Sequence, residues 1–326
     1  MFTNKDNISL SLALWLAHDH YEPAILSNTI SVTTIIKSLK QIILGMRITP
    51  VDSIEDISDN IANRIGTAIH SGIEDSWLNH KDRLMKELGY PDVVIKKVKL
   101  NPTDTELKND NSIIPIYMEQ RSNKLINGFT ISGKFDFVIE GKLEDFKTTS
   151  VYTWIHRTGG IKHSLQGSIY RWLNQDKITS NKINIQYLFK DWKQGLIKSS
   201  KNYPPKAIMT DSLNLLSIQE TEEYVRNKTI QIKNLINANE DNIPPCSSKD
   251  LWRKPSIFKY YKNPANTNRS TKNFDNITAA NTKLAEDGGI GIVKEVKGSV
   301  VACRYCKAFN ICEQKDEYLL NGTLII

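Results

Sequence analysis

Apolar residues recur at helical spacing in four parts of the chain. Over 28–47, Ile, Leu and Val return mostly every third or fourth residue, with Lys37, Lys40 and Arg47 between them. Over 58–88, Ile61, Ile65, Ile69, Ile73 and Trp77 return every fourth residue, behind Ser58 or Asp59 as a helix cap. Residues 162–174 carry Leu165, Ile169, Trp172 and Leu173 on one side, and 221–236 reads as a further helix. Between the second and third of these, the pattern turns to strands. Residues 93–100 are rich in β-branched side chains, and 113–119 follow, with a polar turn at Ser122-Asn123. A strand over 125–139, a tight turn at Glu140-Gly141 and a returning strand over 143–148 complete a meander. Ile183, Ile185, Tyr187 and Phe189 alternate as one more strand. This order predicts an α/β (α+β) protein with a mixed central sheet flanked by helices. Pro244-Pro245 marks a break, after which the chain is expected to be loop-rich. The expected divisions are an N-terminal helical segment (1–57), a core (58–240) and a C-terminal region (241–326) packed on that core.

Composition narrows the class. The 326 residues are 40% hydrophobic and 24% charged, an ordinary globular balance. The formal net charge is +7, which admits a polyanionic partner without requiring one. No apolar run reaches the length of a membrane-spanning helix. The short apolar run from Ile8 to Ala17 has Asp6 in front and no small-residue cleavage site before His18-Asp19-His20, so it reads as an N-terminal helix or strand rather than a signal peptide. Four cysteines are few for a disulfide-stapled secreted chain, so a cytoplasmic setting is expected.

The meander carries the first candidate chemistry. Asp145 and Lys147 stand two apart on one strand and therefore share a face, while Phe146 points the other way. The Glu140-Gly141 turn brings the strand bearing Asp136 alongside. Two carboxylates and an ammonium then converge. Hard divalent cations such as Mg²⁺ prefer such oxygens, and a metal with a neighbouring lysine suits phosphodiester hydrolysis. Taken alone, an Asp-x-Lys step is more often a solvated ion pair.

Two helices add to this. Gly66, His70 and Glu74 are spaced by four on one face, so His70 can be a metal ligand and Glu74 its supporting partner. A small residue one turn before His70 would let another backbone or a substrate approach. Gln166 and Tyr170, again four apart, offer hydrogen-bonding groups suited to a phosphate or a base edge. Each helix alone is compatible with ordinary core packing.

In order, Gly66-x3-His70, Gly133-x2-Asp136, Asp145-x-Lys147-Thr148-Thr149 and Gln166-x3-Tyr170 resemble the RecB-like branch of the PD-(D/E)XK nuclease superfamily, in particular its phage-encoded nucleases. The resemblance covers about 60–190, and a Ser-x-Thr step at Ser31-Val32-Thr33 lends weak support. It implies a restriction-endonuclease-like core. It implies that His70, Asp136, Asp145 and the Phe146 carbonyl bind Mg²⁺ or Mn²⁺ and that Asp136, Asp145 and Lys147 are catalytic. Gln166 and Tyr170 would bind substrate. The activity implied is a DNA exonuclease acting on a free end or single-stranded region, in the host cytoplasm if phage-encoded. The competing readings are a non-catalytic DNA-binding scaffold on the same fold, and an interaction module whose Asp-Lys hairpin is accidental.

Cys303, Cys306 and Cys312 lie close together, with Cys246 upstream. Such spacing points to metal coordination, by Zn²⁺ or an iron–sulfur cluster. Some RecB-like nucleases, including AddB and CRISPR-associated relatives, are similar in carrying a cysteine trio after the nuclease motifs, which implies a [4Fe–4S] cluster with zinc as the alternative. Their first cysteine usually precedes the core, whereas Cys246 follows it here. Finally, Lys249, Arg253, Lys254, Lys259, Lys262, Arg269 and Lys272 face one acidic residue, Asp250, over 249–272, interleaved with Trp252, Phe258, Tyr260 and Tyr261. Such a stretch fits a DNA-tracking surface.

Overall fold

A computed structural model describes residues 2–18, 28–49, 55–198 and 200–325. The strands are β1 (Phe2–Thr3), β2 (Thr29–Ser31), β3 (Glu55–Asp56), β4 (Val98–Leu100), β5 (Ile114–Ile126), β6 (Phe129–Ile139), β7 (Lys142–Thr149), β8 (Lys182–Phe189), β9 (Ile208–Asn214), β10 (Ile257–Tyr261), β11 (Lys272–Phe274) and β12 (Ile292–Val296). The helices are α1 (Leu10–Ala17), α2 (Val32–Ile35), α3 (Leu39–Arg47), α4 (Ile61–Glu87), α5 (Asp92–Lys97), α6 (Asp104–Asn109), α7 (Val151–Ile155), α8 (Gly160–Leu173), α9 (Ile218–Leu235), α10 (Ile277–Glu286) and α11 (Gln314–Leu320). Among the described residues no helix is long and apolar enough to cross a membrane. Two compact units form, Met1–Ile36 with Ile54–Gln231, and Lys37–Ser53 with Ile232–Ile326. Residues 19–27 and 50–54 of the expected N-terminal segment, with His20, lie outside the described residues.

The first unit is built on a mixed, curled, seven-stranded sheet in the order β4-β5-β6-β7-β8-β9, with β2 beside β6. The β5–β6 and β6–β7 hairpins are antiparallel, while β7 and β8 run parallel. A parallel pair needs a long crossover, and α7 and α8 supply it. The two hairpins close through Asn127-Gly128 (φ 52° and 86°) and Glu140-Gly141 (φ 49° and 73°). Successive left-handed residues match the strand twist, which is why Gly occupies the second position of both turns.

Two neighbours share one edge of β6. β2 pairs with Thr130–Ser132 and β7 with Phe137–Ile139. Between them the sheet forks, and Gly133 to Asp136 lie in the fork. Helices cover both faces there. Phe146 packs with Phe137 and Trp77 of α4, whereas Asp145, next in the strand, meets Gln166 of α8. Ile116, Ile131, Phe135, Leu143, Ile169 and Trp172 are fully buried.

Several expected elements differ. Residues 93–97, read as strand, are helical: Pro91 caps the turn and Ile95 is buried, so packing overrides the β-branched composition. The expected Ser122-Asn123 turn lies inside β5, because the Asn-Gly pair four residues on makes the tighter hairpin. Before α4, neither Ser58 nor Asp59 is the cap. Asp56 accepts from Ser58 N and opens a short 3-10 turn over Ile57–Asn60. Ser31 does cap α2, accepting from Thr34 N. Strand β9 was missed, since its exposed and half-buried positions carry little apolar signal.

The second unit holds a three-stranded antiparallel sheet, β11-β10-β12, with Tyr260 fully buried and bonded to Asp287 beyond α10. This sheet stands where loops were expected, in strands of three to five residues between Asn- and Lys-rich turns. A separate cluster joins Leu251, Val300, Tyr318 and Leu324. Helix α3 opens with a Ser38/Gln41 capping box, and its last residue, Arg47, donates to the carbonyls of Leu235, Ile236 and Ala238. Lys40 and Glu240 form an ion pair at 3.0 Å, each with under a tenth of its side chain exposed.

Candidate metal centre

The fork in β6 is where the polar groups gather. The β6–β7 ladder stops at Phe137 and Glu144. In place of the next rung, the Phe146 N–H donates to Asp136 Oδ2 at 3.0 Å. From α4, His70 Nε2 reaches the Phe146 carbonyl at 3.0 Å. A carbonyl only accepts, so Nε2 is the donor there, and Nδ1 is the ring nitrogen turned away from Phe146. That nitrogen lies 3.7 Å from Asp136 Oδ2.

Glu119 of β5 completes a trio. Ligating atoms of His70, Glu119 and Asp136 all lie within 4.8 Å of one another. Two carboxylates and an imidazole at this spacing can coordinate a metal ion. Glu119 holds a left-handed φ of 53° within its strand. A non-glycine residue there costs about 1–3 kcal/mol, and such cost gathers at functional sites. Lys134 forms an ion pair with Glu119. Burial, and next the Asp145 carboxylate, push Asp136 up to about 7. A cation held by these oxygens would relieve that strain on the ionised form.

Asp145 and Lys147 stand beside the trio. Their ion pair closes to 2.6 Å, with Asp145 almost fully buried and Lys147 nearly a third exposed. Among the described residues Asp145 Oδ2 has no aligned hydrogen bond beside this ion pair. Burial pulls the Lys147 ammonium down, but Asp145 and then Asp136 outweigh it and raise the group, so it stays charged. From α8, Gln166 Nε2 donates to Asp145 Oδ1 at 3.4 Å and to Tyr170 Oη at 3.1 Å. Burial and the same two carboxylates drive the Tyr170 phenol far up, so it remains protonated.

Of the residues singled out from sequence, His70, Asp136, Asp145, Phe146, Lys147, Gln166 and Tyr170 therefore join one polar cluster. In it the Phe146 carbonyl faces His70, and Asp145 faces Lys147 and Gln166. Glu74 is half-buried and makes no hydrogen bond or ion pair among the described residues. Gly66 has open space where a Cβ would stand, so no backbone packs against it. Gly133 is different: a Cβ there would lie 2.7 Å from Val32, 2.9 Å from Leu173 and 3.0 Å from Tyr170. Glu119 was missed. The signal for it existed, because the Asn127-Gly128 turn sets Ile126 against Phe129, and seven residues back along each strand Glu119 stands opposite Asp136.

In the second unit, Cys246, Cys303, Cys306 and Cys312 line one small cavity together with Lys40, Gln41 and Phe309. All four are free thiols and half-buried. Burial first, and neighbouring thiols with it, push Cys303 up to about 11, and burial raises Cys246 as well. So raised, Cys303 and Cys246 are protonated without a metal, and a metal binding them would release those protons.

No protein-family model matches the chain, and no curated protein matches it in sequence. Several solved structures match distantly, two of them as follows. The crystal structure of SSO0001 is 18% identical, with a TM-score of 0.37, over 70% of this chain and 83% of that one. The crystal structure of a phage-related exonuclease from Haemophilus somnus 129PT is 12% identical, with a TM-score of 0.29, over 64% of this chain and 93% of that one.

Proposed function

We propose that the protein is a divalent-metal-dependent DNA nuclease of PD-(D/E)XK type, acting as an exonuclease. One observation carries the reading: the His70, Glu119 and Asp136 ligating atoms gather within 4.8 Å beside the ion pair of Lys147 with the buried Asp145. The chemistry of the donor set fits a hard cation, Mg²⁺ or Mn²⁺, with the imidazole favouring Mn²⁺. Bound there, the ion would lower the pKa of a water and neutralise charge developing on a phosphate. The rest falls to side chains. Lys147, held charged by Asp145 and Asp136, attracts a phosphate oxygen and orients the substrate. Gln166 holds Asp145, and Tyr170 holds Gln166, which fixes the ion pair. Phe146 locks the His70 ring through its carbonyl.

The same reading gives the second unit a structural cluster on Cys246, Cys303, Cys306 and Cys312. Their shared cavity supports it. Among the described residues, no three of these sulfurs close to within 4.8 Å of one another. A single tetrahedral zinc, with Zn–S near 2.3 Å, would draw its sulfurs to about 3.8 Å apart. A [4Fe–4S] cluster is the first reading of these four thiols, and zinc is the alternative. Iron content and visible absorption of anaerobically purified protein, compared with Cys306→Ser, test this.

The decisive experiment is digestion of end-labelled linear and closed circular DNA with Mg²⁺, Mn²⁺ or EDTA. Metal-dependent loss of linear DNA, abolished in Lys147→Ala and Asp136→Asn, is expected. Cleavage of the circle would make it an endonuclease, and folded protein that cuts neither would overturn the reading.

A further inference from the structure

The segment joining β7 to α8 carries aromatic and basic groups that the metal centre does not use. Tyr152 of α7 is 62% exposed. Its ring lies on that of His156, with centroids 4.1 Å apart and planes 35° apart. Both rings are at the surface, yet the backbone beneath them is tied down. Val151 N donates to Asp191 at 2.7 Å, and the Thr149 and Thr153 hydroxyls meet at 2.8 Å. Arg157 takes a left-handed φ of 51°, lays its guanidinium 4.2 Å over the Trp154 ring and bonds Asp211 at 3.2 Å.

This segment adjoins the reactive groups through one aromatic step. Tyr187 of β8 is the register partner of Lys147. Trp154 stands edge-on to Tyr187 at 5.9 Å. The chain of contacts thus runs from Lys147 through Tyr187 and Trp154 to the rigid turn that presents Tyr152 and His156. An exposed aromatic face on a fixed support stacks on a planar ring with little ordering cost. The planar ring available next to a phosphate is a nucleobase, and only an unpaired base offers a free face.

We infer that Tyr152 and His156 form a stacking ledge for an unpaired base of the DNA strand whose phosphate meets Lys147. The inference rests on the nuclease reading above and deepens it by adding a base-binding position next to Lys147. Arg157 and Trp154 are positioning residues that hold the ledge.

The test is binding in EDTA, where turnover is absent, of a single-stranded oligonucleotide bearing 2-aminopurine and of a blunt duplex. Wild type and Tyr152→Phe are expected to quench the 2-aminopurine and bind the single strand alike. Tyr152→Ala is expected to lose the quenching and about tenfold in single-strand affinity, with duplex affinity unchanged. His156→Ala gives a smaller loss of the same kind. Tyr152→Ala that binds and quenches as wild type does, or that weakens both DNAs equally, overturns the ledge. Metal-dependent cleavage retained alongside that outcome leaves the nuclease reading standing, whereas wild type that neither binds nor cuts DNA removes both.

Discussion

His70 and Phe146 are joined by a hydrogen bond that decides what the imidazole can do. Because the Phe146 carbonyl accepts a hydrogen bond from Nε2 at 3.0 Å, the other nitrogen is left facing Asp136. The ring is thereby oriented before any ion arrives, the arrangement metal-binding histidines need.

Glu119 is expected to be a ligand rather than a bystander paired with Lys134. Glu119→Gln should weaken Mn²⁺ binding by at least about tenfold, measured by titration calorimetry. Lys134→Ala should leave it intact or tighten it. Equal affinities in wild type and Glu119→Gln would remove Glu119 from the site.

Metal uptake should depend on pH through Asp136. Its carboxyl, raised to about 7 by burial and Asp145, keeps a proton that an incoming cation must displace. Mn²⁺ affinity should therefore rise by about tenfold per pH unit below 7 and flatten above it. The metal-free protein should follow the opposite trend in stability. A raised carboxyl favours the folded state while protonated, so stability is full below the ordinary carboxylate range and falls as pH climbs toward 7. Asp136→Asn should abolish both slopes.

Two glycines should respond to alanine with opposite signs. Gly133→Ala forces a methyl against Val32, Leu173 and Tyr170, and should cost about 1–3 kcal/mol while disturbing the Tyr170–Gln166 contact. Gly66→Ala fills open space in mid-helix and should stabilise by about 0.5–1 kcal/mol. Thermal denaturation of the two variants separates them.

In the second unit, Glu240 accepts from Lys40 and from the Glu313 and Gln314 backbone amides. Glu240→Ala leaves a buried ammonium unpaired and should cost about 3–5 kcal/mol. Replacing both partners, Lys40→Met with Glu240→Leu, should recover much of that loss. A double variant no more stable than the single would show that the backbone contacts, not the ion pair, matter.

Much of this was legible in the residues. The period-two pattern around Asp145 and Lys147, the Glu140-Gly141 turn and the four-residue spacings of α4 and α8 are local signals, and local signals survive folding. Glu119 was lost through one misplaced turn: a hairpin closed at Ser122-Asn123 has another register from one closed at Asn127-Gly128. The fork in the sheet was not readable at all, since it depends on β2, about a hundred residues upstream, claiming part of the edge of β6. Nor was the helix at 92–97, where Pro91 and the burial of Ile95 outweigh β-branched side chains.

The two type I′ turns carry a consequence for how the molecule assembles. Glu119, Asp136, Asp145 and Lys147 all come from one uninterrupted meander, Ile114 to Thr149, closed by two-residue loops. Such short-range pairings form fast, whereas His70 and Gln166 arrive from helices outside it. During folding the carboxylates are thus brought together before the groups that orient them, and of the three only Asp136 lacks a lysine ion pair among the described residues. A cation present at that stage would speed folding, so refolding rate should climb with Mn²⁺ concentration.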